Sequence, residues 1–92
     1  MSTHVRFNRK FVRAYRKLTP KIQKAVDSRI KLFEKQPNHP SLRNHKLSGR
    51  LSDMSSINIT GDYRALFKVV KQTTTTTEVE FYLIGTHAEL YG

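Results

Sequence analysis

The stretch Tyr63-Arg64-Ala65-Leu66-Phe67-Lys68-Val69-Val70-Lys71 decides the fold. Ala65, Phe67 and Val69 recur at every second position, the period of a strand with one buried face. Two further runs flank it: Met54 to Thr60, with Ile57 and Ile59 alternating, and Glu78 to Ile84, with Val79, Phe81 and Leu83 alternating. Gly61-Asp62 joins the first pair and the Gln72 to Thr77 tract joins the second, so the three runs predict an antiparallel meander. The five threonines of that tract are β-prone enough for the strands to extend into it.

Upstream the period changes from two to that of a helix. From Asn8, an N-cap residue, apolar side chains recur at Phe11, Val12, Tyr15 and Leu18, leaving Arg9, Lys10, Arg13, Arg16 and Lys17 on the wet flank. Thr19-Pro20 supplies a second N-cap with proline in the first turn, and Ile22, Ala25, Val26, Ile30 and Phe33 share one face until the helix ends near Gln36, before Pro37. So short a connection predicts an antiparallel helical hairpin. Residues 37–49 lose all periodicity and read as an irregular connection carrying His39, Arg43, His45 and Lys46. With Val5 to Phe7 as a short first strand and a last turn of helix at Ala88 to Leu90, the expected fold class is α+β. It places a helical hairpin on a three- to four-stranded antiparallel sheet, in one domain over residues 1–92. The expected core is Phe11, Val12, Tyr15, Ile22, Val26, Ile30 and Phe33 against Ile57, Ile59, Leu66 and Phe81.

The charge is distributed as unevenly as the periodicity. The chain of 92 residues has a formal charge of +10, but residues 1–50 hold 14 Lys and Arg against only Asp27 and Glu34. That excess points to a polyanion as partner. With no cysteine, a disulfide framework, a thiolate zinc site and a cysteine nucleophile are excluded. The longest apolar run, Phe81 to Ile84, is far below the ~18 residues of a membrane span, and the N-terminal residues do not resemble a signal peptide. A membrane is therefore not an expected partner, and a reducing cytoplasm is the expected location.

Two histidines carry the chemistry. His45 lies in Asn44-His45-Lys46-Leu47-Ser48-Gly49, and His87 follows the last strand in Gly85-Thr86-His87-Ala88-Glu89-Leu90-Tyr91. Imidazoles exchange protons near neutral pH, and RNA cleavage requires a 2′-hydroxyl to lose one and a 5′-oxygen to gain one. Arg64 on the middle strand is suited to the charge of a phosphorane. This chemistry needs neither a metal nor a cofactor, and His39 and His45 have no acid near them in sequence to complete a metal site. A Ser48, His45, Asp62 triad lacks any nucleophile-elbow pattern. Tyr91 reads equally as a stacking platform for a base or as a residue closing the core.

Three segments together resemble the RelE/ParE superfamily of toxin–antitoxin toxins, and within it the RelE/StbE and YafQ-like mRNA interferase branch. They are Pro40-Ser41-Leu42 followed by His45-Lys46-Leu47-Ser48-Gly49; Asp62-Tyr63-Arg64-Ala65-Leu66-Phe67; and Ile84-Gly85-Thr86-His87-Ala88-Glu89-Leu90-Tyr91. The resemblance implies metal-independent cleavage of mRNA beside ribosomal RNA in the ribosomal A site, and inhibition by an acidic antitoxin. It assigns His45, Asp62, Arg64, His87 and Tyr91 to the catalytic set. It also singles out Asn58, where YafQ-like enzymes tend to carry another histidine, and Ser56, where that branch can carry an acid. Arg13, Lys17, Lys24, Arg43, Lys46 and Arg50 are the expected RNA-binding residues. The alternative expectation is a non-catalytic protein of the same fold, either a ParE-like gyrase poison or a basic RNA-binding protein whose nuclease function has lapsed.

Overall fold

Asn8 and Thr19 start the two long helices as local chemistry dictates. The Asn8 side chain accepts the Phe11 N–H at 2.9 Å and opens α1 (Arg9–Arg16), while Thr19 Oγ1 accepts the Ile22 N–H at 3.4 Å and opens α2 (Pro20–Lys35). Gln23 donates to the Tyr15 carbonyl at 2.9 Å and the Tyr15 hydroxyl donates to Asp27 at 2.8 Å, tying the helices together near their connection. The computed structural model describes residues 2–91. Around this hairpin lie β1 (Ser2–Phe7), β2 (His45–Lys46), β3 (Ser55–Asn58), β4 (Tyr63–Gln72), β5 (Thr76–Thr86) and a terminal α3 (His87–Tyr91).

The strands form one five-stranded sheet in the order β1-β5-β4-β3-β2. The expected meander is its centre, but the sheet is wider than expected and mixed. β1 runs the full length from Ser2 to Phe7 and lies parallel to β5, with Val5 opposite Val79. β2, inside the segment read as irregular, pairs His45 with Ser56 and Lys46 with Ser55. Two residues are too few to show a period, so only the pairing reveals that strand. In the threonine tract the strands extend to Gln72 and from Thr76, leaving Thr73 to Thr75 as the turn, where Thr73 Oγ1 accepts the Thr75 and Thr76 N–H groups.

Helices and sheet enclose a cluster built around Phe33, Phe67 and Phe81, whose ring centroids lie 4.9 to 5.4 Å apart. Phe11, Val26, Ile30, Ile57 and Ile59 join it together with Ala65, Val79 and Ile84, and Leu42 from the irregular connection is fully buried in it. Tyr15 and Ile22 pack against the cluster partly buried, whereas Val12 is half-buried outside it.

The inward set on β5 differs from simple alternation. The register steps from Leu66 opposite Leu83 to Phe67 opposite Phe81, so Tyr82 has no partner and the phase of the strand inverts there. Ile84 replaces Leu83 in the helix-side core as a result. Leu66 is fully buried, but it alternates with Ala65 and Phe67 and so belongs to the opposite sheet face, which corrects its expected place against the helices. Val69 is opposite Val79 yet 52% exposed.

Candidate functional site

The sheet face away from the helical core carries two cross-strand rows. His45, Ser56, Leu66 and Leu83 form one, and Asn58, Arg64 and Gly85 form the next. Residues directly opposite on neighbouring strands project to the same side, so this register brings side chains from β2, β3 and β4 together. A cleft of about 520 Å³ opens there, lined by Arg43, His45, Asn58, Arg64, His87 and Tyr91, with Leu47, Ser48 and Leu51 as its remaining wall.

His87 and Tyr91 reach the cleft because β5 turns into α3. The turn is a capping box: the Thr86 N–H donates to the Glu89 carboxylate at 2.7 Å, and Thr86 Oγ1 accepts the Glu89 N–H at 3.2 Å. The Thr86 backbone N–H, with a smaller contribution from the Thr86 side chain, holds the Glu89 carboxyl below the usual glutamate range. Gly85 leaves room for it, since a Cβ there would lie 3.1 Å from Glu89 Oε1 and 3.4 Å from its Cβ. The His87 N–H donates to the Asp62 carbonyl at 3.1 Å, which fixes the start of α3 against the β3–β4 turn. One turn later the Tyr91 ring meets the His87 ring edge-on at 4.5 Å, and its hydroxyl donates to the buried Ser56 at 3.4 Å.

Arg64 is held from behind. One guanidinium nitrogen donates to the carbonyls of Thr60, Gly61 and Tyr63 at 3.0, 3.2 and 3.1 Å, which leaves the remaining N–H groups for an anion in the cleft. His45 is held by its Nδ1, 2.7 Å from the Arg43 carbonyl oxygen. A carbonyl only accepts, so Nδ1 carries the proton, and the Nε2 of the neutral ring is left with a free lone pair. Arg43 supports this contact in the left-handed region, at φ 47°, a conformation uncommon for a residue with a side chain.

The same architecture recurs among solved structures. YafQ from E. coli superposes with a TM-score of 0.75 at 17% identity, covering 98% of this chain and 99% of its own. The YoeB/ParE toxin from Agrobacterium tumefaciens does so with a TM-score of 0.72 at 14% identity, over 91% of this chain and 98% of its own. The chain has the RelE/ParE-like toxin fold. The toxin–antitoxin complex RelBE2 from Mycobacterium tuberculosis also matches, with a TM-score of 0.69 at 22% identity over 95% of this chain and 100% of that one. No protein-family model matches the sequence, and no curated protein sequence does.

Within this RelE/ParE-like fold the expected site residues fall into four groups. His45, Arg64, His87 and Tyr91 line one cleft, joined by Arg43 from the basic set. Lys46 and Arg50 are exposed on the segment that supplies the cleft wall, whereas Arg13, Lys17 and Lys24 are exposed on the helical layer, across the sheet. Asp62 stands apart from the cleft lining: its carboxylate is exposed in the β3–β4 turn, and its carbonyl is what touches α3. The Thr86 and Glu89 pair was not singled out from the sequence, although a Thr followed three residues later by Glu is the signature of a capping box. No helix of the described residues is long and apolar enough to cross a membrane.

Proposed function

We propose that the chain is the toxin of a type II toxin–antitoxin pair and cuts mRNA in the ribosomal A site, using the RNA's own 2′-hydroxyl as nucleophile. The observation that carries this reading is the convergence of a positioned imidazole acceptor, His45 Nε2, with Arg64 and His87 in one cleft. His45 takes the 2′-hydroxyl proton as O2′ attacks phosphorus. Arg64 neutralises the phosphorane charge, and His87, protonated at the outset, gives its proton to O5′ as the P–O5′ bond breaks. The products are a 2′,3′-cyclic phosphate and a 5′-hydroxyl. Tyr91, braced by His87 and Ser56, offers a flat face to a base beside the scissile phosphate. Asp62 positions His87 through its carbonyl in this reading, and Asn58 offers an amide to the substrate.

The chain is basic where RNA would approach, and the RelBE2 neighbour is a complex of toxin and antitoxin. An acidic antitoxin, a cytoplasmic location and a reaction without metal or cofactor belong to the same proposal. The second reading is a non-catalytic inhibitor of the same fold, and it draws on Asn58, whose amide does not act as a base near neutral pH. Mapping 5′ ends of mRNA in a translating extract separates the two. Cleavage that disappears in His87→Ala and Arg64→Ala supports the nuclease, and translation arrest with intact mRNA supports the inhibitor.

A further inference from the structure

A second cleft, of about 400 Å³, lies between α1 and α2, on the opposite side of the sheet from the candidate site. Phe7, Val12, Tyr15 and Ile30 give it an apolar floor, and Phe7 remains 44% exposed although its ring stacks on Phe11 at 5.1 Å. Asp27 and Glu34 stand on its α2 rim with Lys31 between them. They are the only two acids of the first fifty residues, so this rim is the one place where the basic half of the chain turns acidic. Beyond Val12, on the other flank of α1, a shallow recess is walled by Arg9, Arg13 and Arg16 together with Phe7 and Val12. At 3.6 residues per turn Val12 falls between that arginine strip and Tyr15. The surface thus reads, in order across α1, as basic strip, apolar centre and acidic strip.

An acidic partner or a polyanion laid across the whole of this surface meets Asp27 and Glu34, and a uniformly basic one meets the arginines. A surface with an apolar centre, one basic flank and one acidic flank fits, and this chain carries that surface itself. Two-fold pairing requires such self-complementarity, each residue meeting in the partner the residue that meets it in turn. We infer that this face pairs with the same face of a second copy of the chain, Phe7 and Val12 meeting near the two-fold axis while the arginine flank of each protomer faces the acidic flank of the other. The inference stands apart from the proposed nuclease activity and leaves the candidate site open. It gives Arg13 two mutually exclusive uses, phosphate contact in the monomer and carboxylate contact in the dimer.

Sedimentation equilibrium of the full chain, from about 10 µM to about 1 mM at physiological salt, spans the affinity range of a small interface. The mass is expected to rise from 10.7 kDa towards twice that value. Two charge-reversed variants follow, Arg13→Glu with Arg16→Glu, and Asp27→Lys with Glu34→Lys, each checked for native circular dichroism. Each alone opposes like charges twice and is expected to stay monomeric, whereas an equimolar mixture pairs opposite charges at both contacts and is expected to dimerise. A wild-type mass that stays monomeric throughout, or a wild-type dimer whose variants associate no differently alone and mixed, overturns the inference.

Discussion

Thr86 and Glu89 hold each other reciprocally, the Thr86 N–H donating to the Glu89 carboxylate at 2.7 Å and the Glu89 N–H to the Thr86 hydroxyl at 3.2 Å, and between them they set where His87 begins its helix. The Thr86 N–H, with a smaller contribution from the Thr86 side chain, holds the Glu89 carboxyl below its ordinary value of 4.5, so the ionised form belongs to the folded turn. A carboxyl with a depressed folded pKa contributes stability above the unfolded value, and that contribution is lost as pH falls through the folded one.

The first prediction follows from that sign. The Thr86 amide resonance should be unchanged from neutral pH down to about pH 5 and then titrate with an apparent pKa below that of a free glutamate. Glu89→Gln, which preserves the acceptor, should keep the turn and abolish the titration, whereas Glu89→Ala should fray α3 at every pH. A Thr86 amide that titrates with the ordinary glutamate value in the wild-type protein would contradict the capping role.

The second prediction concerns the core and the irregularity at Tyr82. Phe33 and Phe81 are at most 1% exposed, and truncating either to Ala should cost about 3 to 5 kcal/mol. Leu66→Ala should cost about 2 to 5 kcal/mol although Leu66 lies on the other sheet face, because it too is fully buried. Val69→Thr should change stability by less than about 0.5 kcal/mol, since its side chain is largely in solvent. Urea titrations of the four variants test the ordering, and a Val69 effect as large as that of Phe81 would refute the assignment of faces.

The helices were legible because their signals are local: Asn8 and Thr19 each bond an N–H three residues away. The central strands were legible for the same reason. What escaped depends on pairing. Nothing in Phe81-Tyr82-Leu83-Ile84, apolar throughout, says which residue is skipped, so Leu83 took the inward place that Ile84 holds. Leu66 is a different case: the alternation of Ala65, Phe67 and Val69 already sets it on the other face, where it is buried without facing the helices. At the candidate site the histidines and Arg64 were visible as chemistry, but their shared cleft arises from the register of β2, β3 and β4, which joins His45 to Arg64, and from the capped β5–α3 turn, which brings in His87. Asp62 touches α3 through a backbone carbonyl, which every residue type possesses.

The third prediction separates the two basic surfaces. Each duplex phosphate neutralised should contribute a slope of about −0.9 to log affinity against log salt, or about −0.7 if the strand is single. Reversing Arg13, Lys17 and Lys24 together removes charge from the helical layer and should flatten the salt dependence of ribosome binding without unfolding the chain. Reversing Lys46 and Arg50 should reduce RNA binding beside the candidate site instead. A helical-layer variant that binds ribosomes with wild-type affinity and slope would exclude that layer from docking.

The last prediction addresses the division of proton chemistry between two imidazoles with different surroundings. His45 Nδ1 faces a carbonyl oxygen, so nitrogen chemical shifts of the neutral ring should report the Nδ1-protonated tautomer, with Nε2 as the free acceptor. Arg43→Gly suits the left-handed backbone at φ 47°, keeps the carbonyl and removes only the cation, so the tautomer should survive while RNA affinity falls. His87 is held through its main chain, and its ring meets that of Tyr91 edge-on and makes no hydrogen bond among the described residues, which leaves it available to carry a proton to a leaving oxygen. His87→Ala should therefore lower cleavage by about 100- to 10,000-fold with ribosome binding nearly intact, the range expected for a lost general acid. Loss of both assignments requires only two results: a His45 ring protonated on Nε2 when neutral, and a His87→Ala protein that cleaves at the wild-type rate. Asn58→His is the complementary change, adding an imidazole to the same cleft. A higher rate in that variant would mean that the wild-type cleft lacks a proton-transfer group, and an unchanged rate would mean that His45 and His87 already suffice.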